Sequence, residues 1–341
     1  MKPTATPEGA RPPAQWALPR AYSSRTLGLL LVCLAGLFWT GMHVEVDHWA
    51  RETLTAAGKL VGLQEESKVV SGMARLGAQM WPPAIAQRTP LERRPDLDRE
   101  RLPWLASIQE EEFFDVTIDY ETLEQDITVT VEATLVEPLG YLWLVLRKMV
   151  ETLEIALWGT LLAVLISAPL AYFSARNYSP ARWVYGAARA VVSFLRAMPD
   201  LITALFFVLA YGFGPVAGVL ALGFHCAGFL GKFYAEDIEN ADQGPQDALR
   251  ALGASKLRVL RLAVWPQVMP QYVAYTLYIL DRNIRMAAVI GLVGAGGIGQ
   301  ELKGRWDIFD YSHVTTILLV LFLTVFALDQ FSARLRQGMI G

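Results

Sequence analysis

Long apolar runs alternate with short basic stretches over most of the chain. Thr26 to about Val44 is the first run, and Ile155 to Ala175 is a second that carries no charge. Leu201 to Gly231 is again uncharged but too long for one crossing of a hydrocarbon core of roughly 30 Å. Gly212-Phe213-Gly214-Pro215 breaks it, because glycine and proline together interrupt a helix. The pattern therefore predicts one span from about Ala190 to Tyr211 and another from about Val216 to Tyr234. Gln271 to Val293 makes a fifth span, with three charges inside it, and Ser312 to Phe331 a sixth.

Between the first and second spans, from Glu45 to about Lys148, the periodicity changes. Trp49 to about Ala78 reads as one amphipathic helix, followed by Met80-Trp81-Pro82-Pro83. An indole suits the headgroup zone, so this tetrapeptide reads as an interfacial anchor. Val116-Thr117-Ile118-Asp119-Tyr120 and Ile127-Thr128-Val129-Thr130-Val131 alternate with period two, which predicts a β-hairpin or a small sheet. Two strands alone are marginal in water, so they must pack on something else. A capping subdomain and a mere spacer are both compatible with that reading.

Charge gives the spans a direction. Arg176, Arg182 and Arg189 follow the second span, Arg334 and Arg336 follow the sixth, and the segment after the first span is richer in acids. Cytoplasmic loops carry the lysine and arginine excess, so both termini are expected inside and Glu45–Lys148 outside. Residues 1–25, rich in proline and alanine, read as a disordered cytoplasmic tail. The first run competes with a signal peptide, but no clean cleavage site follows it, which favours an uncleaved span. The composition agrees: of 341 residues, 53% are hydrophobic and 18% charged. Cys33 and Cys226 both lie in apolar runs, so no disulfide framework is implied. The basic residues sit at span ends rather than in one field, which argues against a nucleic-acid surface.

One polar, basic island stands apart, from Gly244 through Gly253-Ala254-Ser255 to Trp265-Pro266. Gly244 is expected to N-cap a short helix with Pro245 at its first position and Asp247 in the first turn, where the helix dipole favours an anion. Gly253 is placed to end it in a left-handed conformation. Ser255 then caps a second helix that should stop or kink near Pro266. Arg250, Lys256, Arg258 and Arg261 make this folded loop basic. It reads as a docking surface, with a solvated linker as the alternative.

The candidate chemistry lies in the membrane. Arg196 and Asp200 flank Pro199, and Asp281, Arg282 and Arg285 sit near the middle of the fifth span. A charge at bilayer depth costs several kcal/mol unless it faces a partner or a cavity. Asp281 and Arg285 are spaced to pair on one helix face. Alternatively, Arg282 or Arg285 lines a water-filled path for an anion, because the guanidinium fork donates two parallel hydrogen bonds to phosphoryl-type oxygens. Pro199 frees backbone groups that neighbours or a cavity must satisfy. His225, alone in the fourth span, reads as packed between helices. Gly294-Ala295-Gly296-Gly297-Ile298-Gly299 has the spacing of a dinucleotide loop without the surrounding βαβ unit, and Gly231-Lys232 lacks the rest of a P-loop. No catalytic or metal-ligating set has believable spacing.

Acid-Ala-(four residues)-Gly at Asp247-Ala248 and Gly253, with Pro266 thirteen residues on, resembles the EAA loop of binding-protein-dependent ABC importer permeases. Asp247 stands where Glu is usual and Leu249 where the second Ala is usual. From about Val150 onward the chain is similar to the phosphonate-type branch, through Glu154-Ile155-Ala156-Leu157-Trp158-Gly159-Thr160, Arg196-Ala197-Met198-Pro199-Asp200-Leu201 and Asn283-Ile284-Arg285 followed by the glycine-rich run. The resemblance implies an all-α polytopic membrane protein of the type I ABC importer transmembrane fold, with about six spans and a small periplasmic insertion. The implied layout is a tail 1–25, a span 26–44, a periplasmic segment 45–148 and a permease core 149–341 with its coupling loop at 236–266. Residues 91–135 depart from the family pattern.

That resemblance further implies a homodimer in the inner membrane, a dimeric ATP-binding subunit holding ATP and Mg, and a periplasmic substrate-binding protein, with no cofactor on this chain. Asp247, Ala248, Gly253, Ser255 and Pro266 would couple to the ATPase. Arg196, Asp200, Asp281, Arg282 and Arg285 would line the path of phosphonate, phosphite or hypophosphite. A permease for an amino acid or betaine is the nearer alternative, and a membrane enzyme acting on lipid phosphates the more distant one.

Overall fold

The computed structural model describes residues 24–62, 67–94, 102–103, 105–118 and 125–340, so the predicted tail lies outside it apart from its last two positions. The chain divides into two compact units, Met1–Gly77 and Ala78–Gly341.

The first unit holds α1 (Ser24–His43), α2 (Val46–Leu60) and most of α3 (Lys68–Met80). α1 matches the first predicted span, and its side chains are almost wholly exposed, as a helix immersed in lipid requires. The single amphipathic helix expected over Trp49–Ala78 is instead two. Val61 closes α2, and Gly62 at φ 79° takes the chain out of the helix; only glycine adopts that conformation without strain.

The second unit begins with a three-stranded antiparallel sheet in the order β1-β3-β2, formed by β1 (Gln87–Pro90), β2 (Ser107–Ile118) and β3 (Gln125–Glu137). β2 and β3 are the predicted hairpin, both longer than the alternation suggested. β1 pairs with the other edge of β3, from Gln87 opposite Glu137 to Pro90 opposite Thr134. That third strand supplies the support a two-stranded ribbon lacks. It escapes pattern reading because it is short and ends in proline.

The helical body consists of α4 (Gly140–Ser174), α5 (Arg182–Ala197), α6 (Asp200–Tyr211), α7 (Pro215–Asn240), α8 (Gln243–Ala251), α9 (Lys256–Val259), α10 (Trp265–Gly291), α11 (Gly297–Asp307) and α12 (Tyr311–Ile340). One apolar cluster joins α4, α6, α7, α10, α11 and α12 around Ile155, Leu222, Ile290 and Ile298. A second, around Leu230, Tyr234, Val264 and Tyr272, joins α4, α7 and α10 nearer the basic loop. Without a hydrophobic drive between helices in lipid, close approach of small residues does the packing. A Cβ on Gly228 of α7 would lie 2.7 Å from the Arg196 nitrogen, so this glycine lets the end of α5 press onto α7.

Among the described residues four helices are long and apolar enough to cross a membrane: Thr26–His43 within α1, α4, α7 and Tyr311–Gln330 within α12. Two of the about six expected spans take a different form. Ala190–Tyr211 is a pair of helices, α5 and α6, bent by 92° at Met198-Pro199, and only together do they count as a fifth span. α10 has 27 residues, ample length, but Asp281, Arg282, Asn283 and Arg285 interrupt its apolar character. The second span is also longer than read, since α4 starts at Gly140.

Candidate functional site

The bend between α5 and α6 organises the intramembrane charges. Met198 precedes a proline, which disfavours the helical region, and it is extended at φ −74°, ψ 127°. Pro199 is also extended, and α6 restarts at Asp200. The backbone groups freed there are met by neighbours. The Pro199 carbonyl accepts from the Thr203 backbone at 3.0 Å and from its hydroxyl at 3.1 Å. The Met198 carbonyl lies 2.9 Å from His225 Nδ1, and since a carbonyl only accepts, Nδ1 carries the proton.

His225 is packed between helices as expected, but it is not alone: it stands at the centre of a three-helix cluster. Its Nε2 is 2.8 Å from Asp200 Oδ1 and 3.1 Å from Arg282 Nη2. Arg282 Nη2 also donates to Asp200 Oδ2 at 3.0 Å. His225 and Asp200 are 7% and 11% exposed, and Arg282, at 27%, lies over the Phe229 ring with its guanidinium carbon 5.1 Å from the centroid. Asp200 Oδ1 makes no aligned hydrogen bond despite its short contact with the imidazole. One oxygen of this buried carboxylate is thus engaged and the other only loosely held.

The remaining mid-membrane charges separate into two cases. Arg285 pairs with Asp281 at 2.7 Å one turn away on α10, as the spacing predicts. The carboxylate of this pair is 9% exposed and the guanidinium 46%. Arg196, half-buried in the last turn of α5, has no hydrogen-bond or ion-pair partner among the described residues. A polar chain continues behind the cluster. Cys226 Sγ lies 3.0 Å from Asn283 Oδ1, and Asn283 Nδ2 donates to Thr160 Oγ1 at 2.9 Å, which ties α7 and α10 to α4. Sequence reading missed His225, Thr160 and Asn283. The available signal was that a histidine and an asparagine at bilayer depth are costly without partners, and Pro199 had left a carbonyl needing a donor.

The basic island folds largely as expected, with its start shifted. Asp242 rather than Gly244 caps α8, its Oδ1 accepting from the Gly244 backbone at 3.1 Å. A carboxylate outcompetes a bare glycine for that role. Pro245 consequently falls third in the helix, and Asp247 lies beyond the first turn, paired with Arg250 at 2.7 Å on the exposed face. The other end agrees: Gly253 has φ 78°, Gly253 N reaches Arg250 O at 2.9 Å and Ala254 N reaches Leu249 O at 3.0 Å. Those two bonds form a Schellman cap. Ser255 starts α9 through its backbone carbonyl alone.

The stop or kink expected at Pro266 is replaced by a π turn, Leu260–Val264, that carries α9 into α10. The wider i→i+5 bonding just before the proline absorbs its missing donor. Ala248 lies in the body of α8. Gln246, fully buried, anchors the helix: its Nε2 donates to Ala241 O at 3.2 Å and Asp242 O at 3.1 Å, and its Oε1 accepts from the Tyr178 hydroxyl at 3.0 Å. Burial pushes the Tyr178 phenol up, against the lowering effect of Arg250, so it remains a neutral donor. Leu252 and Leu257 are 84% and 68% exposed, leaving two apolar side chains between the loop's cations.

The glycine-rich run is a helix start and not a nucleotide loop. Gly297 N donates to Glu151 Oε1 at 3.0 Å and Ile298 N to Thr152 Oγ1 at 2.7 Å, so α4 caps α11.

Residues 167–341 match the family described as binding-protein-dependent transport system inner membrane component. The HtxE permease of Stutzerimonas stutzeri, named for a phosphite transport system, is 55% identical over 261 residues, which cover 76% of this chain and 100% of HtxE. The phosphite transport system permease PtxC of the same organism is 45% identical over 192 residues, 56% of this chain and 70% of PtxC. Among solved structures, the inward-facing MetNI methionine ABC transporter overlays with a TM-score of 0.51 at 22% identity, over 58% of this chain and 97% of that one; the likeness establishes the type I importer fold. The chain belongs to the binding-protein-dependent transport system inner membrane component family: it is a permease subunit of an ABC importer, a transport component rather than an enzyme, and it works with a separate ATPase.

Proposed function

We propose that this permease imports phosphite or a closely related phosphorus oxyanion, and that the charges around the Met198-Pro199 bend handle the anion inside the membrane. The carrying observation for the cargo is the 55% identity to HtxE over that protein's whole length. The likeness to a methionine importer is one of fold, at 22% identity, so it gives no support to an amino-acid cargo.

The chemistry of the cluster suits the cargo. Among the described residues Arg196 has no anion to neutralise it, which leaves its guanidinium available to an oxyanion at the bend. Asp200 holds Arg282 through one oxygen only. A tetrahedral oxyanion offers Arg282 the two parallel acceptors that the fork prefers and so competes with Asp200, whose other oxygen lies 2.8 Å from His225 Nε2. Asp281 and Arg285 form the next rung on α10.

Two copies of the chain would enclose the path, and alternating access would move it. Asp247, Ala248, Gly253, Ser255 and Pro266 belong to the loop that would seat in the ATPase, with Leu252 and Leu257 as its apolar contacts. ATP and Mg would be held by that partner, and a periplasmic binding protein would deliver the solute. The test is ATP hydrolysis by the purified permease–ATPase complex with binding protein loaded by phosphite, by a phosphonate, or empty. Stimulation by a loaded form is expected; hydrolysis indifferent to both cargoes would refute the cargo assignment.

A further inference from the structure

The connection between α4 and α5 encloses a cavity of about 590 Å³ lined by Arg176, Ser179, Pro180, Ala181, Arg182 and Tyr185. Its size lies within the range of small-ligand sites. The loop that shapes it is held firmly: Ser179 N and Tyr178 N both reach Ala175 O, at 2.9 and 3.1 Å, and Ser179 Oγ lies 3.2 Å from Ala181 O. No carboxylate lines it. Glu239, which bonds the connection, is already engaged, its Oε1 accepting from the Arg176 backbone at 2.7 Å and from Arg189 Nη2 at 3.0 Å. Among the described residues the guanidinium groups of Arg176 and Arg182 have no partner at all.

Two guanidiniums lining one cavity with no carboxylate beside them make it electropositive, which favours an anion there. Surface arginines that serve only to orient a membrane protein need no cavity and no fixed turn. Here Ala181, at the N-cap of α5, brings no side-chain oxygen of its own, and among the described residues that line the cavity none supplies a negative charge. The charge bias puts this end of α4 at the cytoplasmic face. Trp183, 76% exposed beside the cavity, is the amphipathic type of side chain found at the headgroup level. The cavity is also linked to the basic loop, since Tyr178 within the same connection bonds Gln246 of α8 at 3.0 Å.

We propose that the Arg176–Arg182 cavity is a cytoplasmic-side binding site for a phosphate-type oxyanion. Its source is either the phosphodiester of an anionic lipid headgroup or free phosphate released into the cytoplasm. The site is distinct from the mid-membrane cluster, and the proposal rests on the family's seating in the inner membrane and not on the cargo. Basic pockets between spans on the cytoplasmic side recognise anionic headgroups by this chemistry, and the arginine fork recognises inorganic phosphate by the same bonds.

The experiment uses the purified permease–ATPase complex in nanodiscs of phosphatidylcholine, with or without phosphatidylglycerol, and compares wild type with R176Q/R182Q. Native mass spectrometry reads retained phosphatidylglycerol, and the thermal midpoint reads inorganic phosphate added to the phosphatidylcholine discs. Retention of phosphatidylglycerol by wild type, reduced about tenfold or more in the variant, assigns the lipid; that factor is what loss of a charge-assisted hydrogen bond brings. A phosphate-dependent rise in midpoint, present in wild type and absent from the variant, assigns the free anion. Equal retention together with equal phosphate response in both proteins overturns the proposal. If the double variant does not assemble, R182Q alone, on an exposed side chain outside any ion pair, carries the same comparison.

Discussion

Two clusters in this chain are made of the same three residue types, Asp, His and Arg, and differ in how the chain assembles them. Arg305 at the end of α11, Asp310 in the turn and His313 in the first turn of α12 lie close together in sequence. Asp310 is met by Arg305 at 3.1 Å and by His313 at 2.7 Å, and Glu301, bonded to Arg305 and to the Tyr141 hydroxyl, completes the group. Asp200, His225 and Arg282 come from three helices, with 82 residues between the Asp and the Arg. The first cluster closes a turn by local geometry and sits at the expected outer edge of α12. The second pins α6, α7 and α10 together at a point where a helix is broken inside the membrane. Local charge clusters of the first kind are scaffolding. A cluster that bridges three helices beside a break, with one carboxylate oxygen outside any aligned hydrogen bond, is suited to the change of partners that the proposed transport cycle requires.

The largest expected effect tests that contrast. Asp200→Asn leaves Arg282 without its counter-ion at bilayer depth, and stranding one member of a buried pair costs about 3–5 kcal/mol. The assembled permease–ATPase complex should therefore be recovered in much lower yield from membranes, as read by size-exclusion profile. Near-normal recovery would mean that Arg282 reaches water without Asp200.

A second effect falls on function alone. Arg196→Gln removes no ion pair, so assembly should be kept, while phosphite uptake into proteoliposomes should fall about tenfold, the loss of one charge-assisted contact to an anion. Undiminished uptake would remove Arg196 from the path.

The smallest effect belongs to the local cluster. Asp310→Asn should cost about 1 kcal/mol or less in thermal unfolding and leave uptake unaltered. Burial raises the Asp310 carboxyl, but the His313 hydrogen bond and charge and the Arg305 charge outweigh it and hold the group below its usual value of 3.8. A carboxylate depressed in the folded state stabilises above its unfolded pKa and loses that contribution as pH falls through the folded one. The stability gap between wild type and D310N should therefore close below about pH 4. A gap that persists there would assign the effect to packing.

The same distinction between local and distant contacts explains what was legible in the sequence. Asp281–Arg285 at one helical turn, Gly253 as a left-handed cap and the α1 span all follow from spacing or from one residue's conformational preference. The N-cap of α8 was misplaced by two residues because Asp242 stands outside the motif that drew attention to Gly244. The α5–α6 bend was hidden because Pro199 lies within a stretch whose overall apolarity suits a straight span. His225 read as solitary, since neither Asp200 nor Arg282 is near it in sequence and only the packing of α6, α7 and α10 brings them together. The third strand, Gln87–Pro90, carries no pattern of its own and is recruited by the free edge of β3.

In the proposed function the cross-helix cluster serves transport and is more than a brace. The most direct measurement is phosphite uptake by proteoliposomes carrying the charge-neutral pair D200N/R282Q beside wild type and each single variant. With both charges gone no stranded ion remains, so assembly should recover relative to D200N. The account predicts that uptake stays low although the complex is intact. Uptake that returns together with assembly would contradict it and reduce the cluster to a structural ion pair.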